Sequence, residues 1–298
     1  MKRLLKLTAL LLCTGMVLAG CSSSKNIYSE EEEKQIHDLT AVIEEQQLAY
    51  FNVILNSIPD RLDKLMQEDS SIASFTAASK LDKEKPMIAL TFNAGPDKEI
   101  TEKLLDVLQE NSAHATFFVD PDKLDNDTAP LLKRMRRMGC EVGLYISDPG
   151  ELADYSDADL KKTMKDRIAK VEQYSGMKCS FARPYGGYMQ DMIYDALKLP
   201  VILWSVDTED AAYDDAATTR SLAMSYASDG GIVIMHDQYV STVNAVRNLI
   251  PDMKKDGYQL LTVSELAYVK DVDLKAGEDY YTIEAEDEEE TADDSDGE

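Results

Sequence analysis

The chain has 298 residues, 44% of them hydrophobic, and a formal net charge of −25 from 31 Lys+Arg against 56 Asp+Glu. So negative a surface repels phosphate backbones and anionic headgroups, which argues against nucleic acid as a partner and against membrane attachment through a basic patch. Only 3 histidines and 4 cysteines, with no Cys-x-x-Cys pair, give no ground for expecting a structural zinc site.

Lys2, Arg3 and Lys6 form a short positive segment, and residues 7–18 are apolar apart from Thr8, Thr14 and Gly15. Twelve residues are too few to span a bilayer, so the stretch is expected to be a signal segment. It ends in Leu18-Ala19-Gly20-Cys21, which resembles the lipobox of bacterial lipoproteins. That resemblance implies cleavage before Cys21 and a diacylglyceryl group on its sulfur, placing the protein outside the cytoplasm and tethered to the cell membrane. Loss of residues 1–20 would remove three positive charges and no negative one, leaving 28 against 56.

Residues 21–27 are expected to be a lipidated polar linker. Residues 28–69 are expected to be a helical stalk, with acidic residues in the first turn and an apolar stripe through Ile36, Leu39, Ile43, Tyr50, Ile54, Ile58, Leu62 and Leu65. Pro59 would kink or split it. After a linker over 70–85, strand and helix patterns alternate. Strands are expected at 87–92, 114–119, 140–145, 179–182, 200–205, 231–236 and 258–262, with amphipathic helices between them. Short apolar strands under helices mean a parallel sheet, and periodicity alone leaves a doubly wound sheet and a β/α barrel both open. Cys140 and Cys179 are expected as buried free thiols, with a disulfide as the alternative that export permits. His114 is expected to be a turn or edge residue. Residues 269–298 are expected to be an acidic, largely disordered tail, since ten of the 15 residues in 284–298 are Asp or Glu.

In either architecture chemistry collects at the C-terminal ends of the strands. Those ends read Thr91-Phe92-Asn93-Ala94-Gly95-Pro96, then Tyr145-Ile146-Ser147-Asp148-Pro149, Ala182-Arg183-Pro184-Tyr185-Gly186, Trp204-Ser205-Val206-Asp207-Thr208-Glu209-Asp210 and Met235-His236-Asp237. Together with Ala115-Thr116-Phe117-Phe118-Val119 and Gly139-Cys140-Glu141-Val142-Gly143, this order resembles the polysaccharide deacetylase family of NodB-homology carbohydrate esterases over residues 86–268. The resemblance implies an incomplete (β/α) barrel of the NodB type, and a divalent metal, usually zinc, used to remove acetyl groups from N-acetylated glycans.

The scaffold motifs agree and the chemical ones do not. The family's first motif holds two aspartates, a general base and a metal ligand, where this chain has Asn93 and Ala94. Its two metal-binding histidines fall on Tyr145 and Pro149. The arginine that orients the base falls on Ala182, with Arg183 one residue along and expected on the opposite face of the strand. Ala211 replaces the tryptophan that ends the fourth motif. An amide cannot take a proton from water near neutral pH, and methyl and pyrrolidine groups cannot bind a cation. His236, the family's general acid, and the two acidic positions Asp207 and Asp210 are retained.

No metal or other cofactor is therefore expected. The sequence is best explained as a cell-envelope lipoprotein whose deacetylase-like domain has lost catalysis and acts in recognition. Its partners would be the membrane, through the lipid, and peptidoglycan or another N-acetylated glycan, contacted by Tyr145, Arg183 and Tyr185; an envelope protein partner stands beside these. The competing expectation is an active carbohydrate deacetylase with a rearranged site drawn from Asn93, Asp148, Asp207, Asp210 and His236.

Overall fold

The computed structural model describes residues 81–284. The signal segment, Cys21, the helical stalk and residues 285–298 lie outside the described residues. None of the described helices is long and apolar enough to cross a membrane.

The strands in chain order are β1 (Met87–Gly95), β2 (Thr116–Val119), β3 (Glu141–Ile146), β4 (Ala182–Pro184), β5 (Val201–Ile202), β6 (Val206–Asp207), β7 (Gly231–His236), β8 (Gln259–Leu261) and β9 (Asp279–Tyr280). The helices are α1 (Ile100–Glu110), α2 (Ala129–Arg137), α3 (Pro149–Leu152), α4 (Asp157–Ser175), α5 (Asp191–Leu197), α6 (Asp210–Tyr213), α7 (Ala216–Tyr226), α8 (Val240–Lys255) and α9 (Val263–Lys270). Every strand pair is parallel. The order across the sheet is β6-β7-β1-β2-β3-β4-β5-β9, with β8 paired to the first residues of β1. β5 and β6 follow each other in the chain yet stand toward opposite ends of that order, with β9 beyond β5, so the sheet curls into an incomplete barrel. This settles the choice that periodicity left open.

Alternation on β1 explains the layers. Ile88, Leu90 and Phe92 point outward into a cluster shared with the helices, including Leu104 and Leu108 of α1 and Val246 and Leu249 of α8. Met87 and Ala89 point inward, where Phe118, Tyr145, Phe181, Ile202 and Ile232 fill the barrel. Thr91 and Asn93 have the same parity as Met87 and are buried, so the inner face of β1 turns polar toward its C-terminal end. Helix ends are secured locally. The Ser156 side chain accepts from the Asp159 amide at the start of α4, and Thr262 and Glu265 form a reciprocal capping box on α9.

One boundary is corrected. The expected tail from residue 269 is ordered in its first part: β9 extends the β5 edge, the Ile283 amide donates to Gly230 O at 2.8 Å, and Ile283 is fully buried in the barrel cluster. The apolar Val272, Leu274, Tyr280 and Ile283 anchor this segment, which the acidity of the residues beyond it obscured.

Candidate functional site

β1 and β7 set the geometry of the barrel mouth, because their parallel register makes Asn93 and His236 direct neighbours. His236 is held from two sides. Its Nδ1 lies 2.9 Å from Asp210 Oδ1, and its backbone amide donates to Asp210 Oδ2 at 2.7 Å. Thr242 Oγ1 also donates to Asp210 Oδ2, at 2.6 Å. Asp210 is 1% exposed, so its carboxylate is spent on this arrangement. A carboxylate on Nδ1 leaves Nε2 as the ring nitrogen able to reach a ligand. Asp207 plays no part in it: the residue is exposed, and its Oδ1 accepts from the Glu209 amide in its own turn. Of the two retained acids, only Asp210 supports the histidine.

The structure corrects the expected orientation of Arg183. Ala182 packs in the outer cluster, and Arg183 points into the barrel, level with Tyr145 on β3. The guanidinium is fully buried. Nη1 donates to Thr91 Oγ1 at 2.7 Å and to Asn93 Oδ1 at 3.0 Å, while Nε and Nη2 donate to the carbonyls of Ile202 and Leu203. It also stacks over the Phe118 ring at 4.0 Å. Arg183 thus reaches the residue at the base position although it stands one residue along the chain. Its burial, which pulls its pKa well below the usual value, also removes it as a direct glycan contact.

The remaining degenerate positions do not fit a metal. Ala94 presents a methyl group, on a left-handed backbone at φ 64°. Tyr145 is 5% exposed, and burial, followed by the neighbouring Tyr185 and Asp120, pushes its phenol up to about 12. Pro149 begins α3. Asp148 beside it is held by Arg167 in a two-pronged ion pair at 2.7 and 2.8 Å, which lowers the carboxyl's pKa. Among the described residues no three His, Cys, Asp or Glu side chains come together to hold a metal ion. A methyl, a proline and a protonated phenol offer no donor set for zinc.

Two residues at the mouth escaped the sequence analysis. Lys123, in the turn after β2, donates from Nζ to Ala94 O at 2.6 Å and to Gln238 Oε1 at 2.9 Å. Asp237 is 1% exposed and lies against Gly95, where a Cβ would come within 2.0 Å of its Oδ2. Thr101 Oγ1 donates to that oxygen at 2.7 Å, Oδ1 has no hydrogen-bond partner, and burial pushes the carboxyl up to about 6. The glycine after Asn93-Ala94 was the available signal for a close approach at this point.

After β4 the chain turns through Tyr185–Gly187, with Gly186 at φ 68° and Gly187 at φ 76°, the second packed against the Trp204 ring. Tyr185 and Tyr188 are 66% and 70% exposed. A groove of about 630 Å³ opens beside this turn, lined in part by Tyr188, Asp191, Tyr194, Asp195 and Tyr281.

The family model described as polysaccharide deacetylase matches residues 80–203. The peptidoglycan-N-acetylmuramic acid deacetylase PdaC of Bacillus subtilis is 33% identical over 199 residues, 67% of this chain and 42% of that protein. Its solved structure superposes with a TM-score of 0.60 over 64% of this chain and 94% of the solved one. A peptidoglycan-N-acetylglucosamine deacetylase of Bacillus cereus is 31% identical over 192 residues, 62% of this chain and 89% of its own length. The fold is also that of a CE4 family pseudoenzyme from Bacillus anthracis, at a TM-score of 0.56 and 22% identity over 67% of this chain and 71% of that one. This chain therefore spans about two fifths of the length of PdaC.

Proposed function

The chain belongs to the polysaccharide deacetylase family, and from that premise we propose that it is an extracytoplasmic lipoprotein that recognises an N-acetylated glycan of the cell envelope without hydrolysing it. One observation carries this reading. The position of the family's base is an amide whose oxygen already accepts from Arg183, and the ligand positions hold Ala94, a buried Tyr145 and Pro149. Deacetylation needs a nucleophile, and metal-bound water supplies one by dropping from a pKa of about 15.7 to about 7. Nothing at this mouth replaces that. His236 with Asp210 can donate a proton, yet an acid alone has no tetrahedral intermediate to act on.

What remains suits binding. The mouth keeps partly exposed His236 and exposed Lys123 as polar groups, and a rim of exposed tyrosines beside an aromatic groove, the combination that orients and stacks sugar rings. The relatives are named as peptidoglycan deacetylases, which supports a wall glycan as the ligand. The lipobox at Cys21 supports a membrane tether within reach of such a polymer; two acyl chains or more are needed for stable anchoring.

The purified mature chain, supplied with zinc or cobalt, should release no acetate from an N-acetylglucosamine hexamer and should co-sediment with peptidoglycan. Stoichiometric metal together with acetate release would overturn the reading. It would establish the competing one, an active deacetylase with a non-standard site, which the intact His236–Asp210 pair favours.

A further inference from the structure

The mouth of the barrel carries two cations whose hydrogen-bond partners are all neutral. Arg183 lies below Asn93 and bonds a hydroxyl, an amide oxygen and two backbone carbonyls. Lys123 lies at the rim. Its ammonium bridges Ala94, which follows Asn93 on β1, and Gln238, two residues after His236 on β7. Asn93 and His236 are register partners, so the ammonium is pinned across the two strand ends that carry the site. An ammonium has three donors. Two are used here, and the residue is exposed.

None of the carboxylates nearby is bonded to the ammonium. Asp210 is taken up by His236 and Thr242. Asp237 is buried against Gly95 and bonded to Thr101. Asp120 accepts from the Asp122 amide in the turn that carries Lys123, and Asp207 accepts from Glu209. Asn93 spends its oxygen on Arg183, which leaves its amide hydrogens as its other polar group. A site whose relatives would present carboxylates to a cation here presents an ammonium and an amide donor to a ligand. Its chemistry is reversed from binding a cation to binding an acceptor.

We propose that the barrel mouth selects a glycan bearing a carboxylate, and that Lys123 is the residue that selects it. The inference rests on the glycan reading above and specifies the ligand's charge. A single carboxylate fits better than a polyanion. One ammonium donor is free to meet it, and a chain at −25 repels ligands of high negative charge. The bond is charge-assisted and partly exposed, so it adds selectivity that salt weakens.

The test is calorimetric titration of the mature chain with three disaccharides: N-acetylglucosaminyl-N-acetylmuramic acid, its carboxyl methyl ester, and neutral di-N-acetylchitobiose. The free acid should bind about tenfold more tightly than its ester at low salt. Rising salt should narrow the gap. Lys123→Met should remove the gap, the free acid binding no more tightly than the ester. Lys98→Met, which removes an exposed lysine paired with Asp127, should preserve it and controls for a general charge effect. Equal binding of acid and ester, or a gap that survives in Lys123→Met, overturns the proposal while leaving glycan recognition intact. Failure of all three sugars to bind overturns both.

Discussion

The two ends of the barrel bury polar groups in opposite ways. At the floor, where the strands begin, carboxylates are surrounded by donors. Glu265 meets His114 at 2.9 Å and accepts from the Thr262 amide, while Glu141 accepts from the Ser264 hydroxyl and amide and from Thr116. At the mouth a guanidinium is surrounded by neutral acceptors, and no carboxylate balances it. The floor is a closed network that ties β2, β3 and α9 together, and each partner is supplied by the fold. The mouth is closed around Arg183 and open at Lys123, whose ammonium keeps a donor at the rim. Buried polar groups that satisfy each other hold structure, whereas donors left facing a rim have a ligand still to meet.

The largest expected effect breaks the mouth from below. Arg183→Ala removes a filled volume and strands four acceptors, and should lower unfolding free energy by about 3–5 kcal/mol in urea titration. Asn93→Ala, which removes one of those acceptors, should cost only about 1–2 kcal/mol. Equal costs would mean that the guanidinium does not organise the mouth. Asn93→Asp should gain a buried ion pair and still release no acetate, because Ala94, Tyr145 and Pro149 remain unable to hold a metal. Next in size is Gly95→Ala. Its methyl would overlap the Asp237 carboxylate, at a cost of about 1–3 kcal/mol.

Both ends should announce themselves through pH, the floor through Glu141 and His114 and the mouth through Asp237. Burial raises Glu141 to about 7 and Asp237 to about 6, and the bond to Glu265 raises His114. For each, the folded state holds its proton more tightly than the unfolded chain. Their stabilisation is present on the acid side and lost as pH rises through the folded values, so stability should fall from about pH 5 to pH 8. Glu141→Gln should flatten the upper part of that slope and Asp237→Asn the lower part, each by on the order of 1–2 kcal/mol. Asp148, lowered by Arg167, has the opposite sign and sets the acid limit, its contribution vanishing as pH falls below the usual carboxylate range. Unchanged slopes in both variants would mean that neither buried carboxyl is coupled to folding.

The scaffold was legible in the sequence because its signals are dense. Gly-Ile-Val-Ile-Met-His between Gly230 and Asp237 is an apolar run bounded on both sides, and β7 occupies the expected residues. β6 and β9 have two residues each, too short to show alternation, and neither was foreseen. The inward face of Arg183 was misjudged for a related reason. The strand was expected at 179–182 and lies at Ala182–Pro184, and a boundary error on a period of two leaves the facing of the next residue undetermined. Lys123 and Asp237 were invisible for a different cause. One sits in a turn 29 residues from the carbonyl it meets, and the other depends on a missing Cβ at Gly95; both are facts of loop packing, which no periodicity encodes. His114 looked like a plain edge residue because its partner, Glu265, is 151 residues away. Cys140 and Cys179 are free and buried, as expected, each pushed up to about 12 by burial.

The smallest expected effect on stability is also the one that separates recognition from scaffolding most cleanly. Tyr185 follows Arg183 by two residues, yet it is 66% exposed while Arg183 is fully buried. Its ring contributes little to the core, so Tyr185→Ala should change unfolding free energy by less than about 0.5 kcal/mol. If the mouth recognises a sugar, the same change should weaken co-sedimentation with peptidoglycan severalfold, since an aromatic face presented to solvent beside polar groups is what a pyranose ring stacks on. A loss of retention at constant stability would assign the tyrosine rim to binding. A loss of stability at constant retention would place Tyr185 with the scaffold and confine recognition to Lys123 and the residues it bridges.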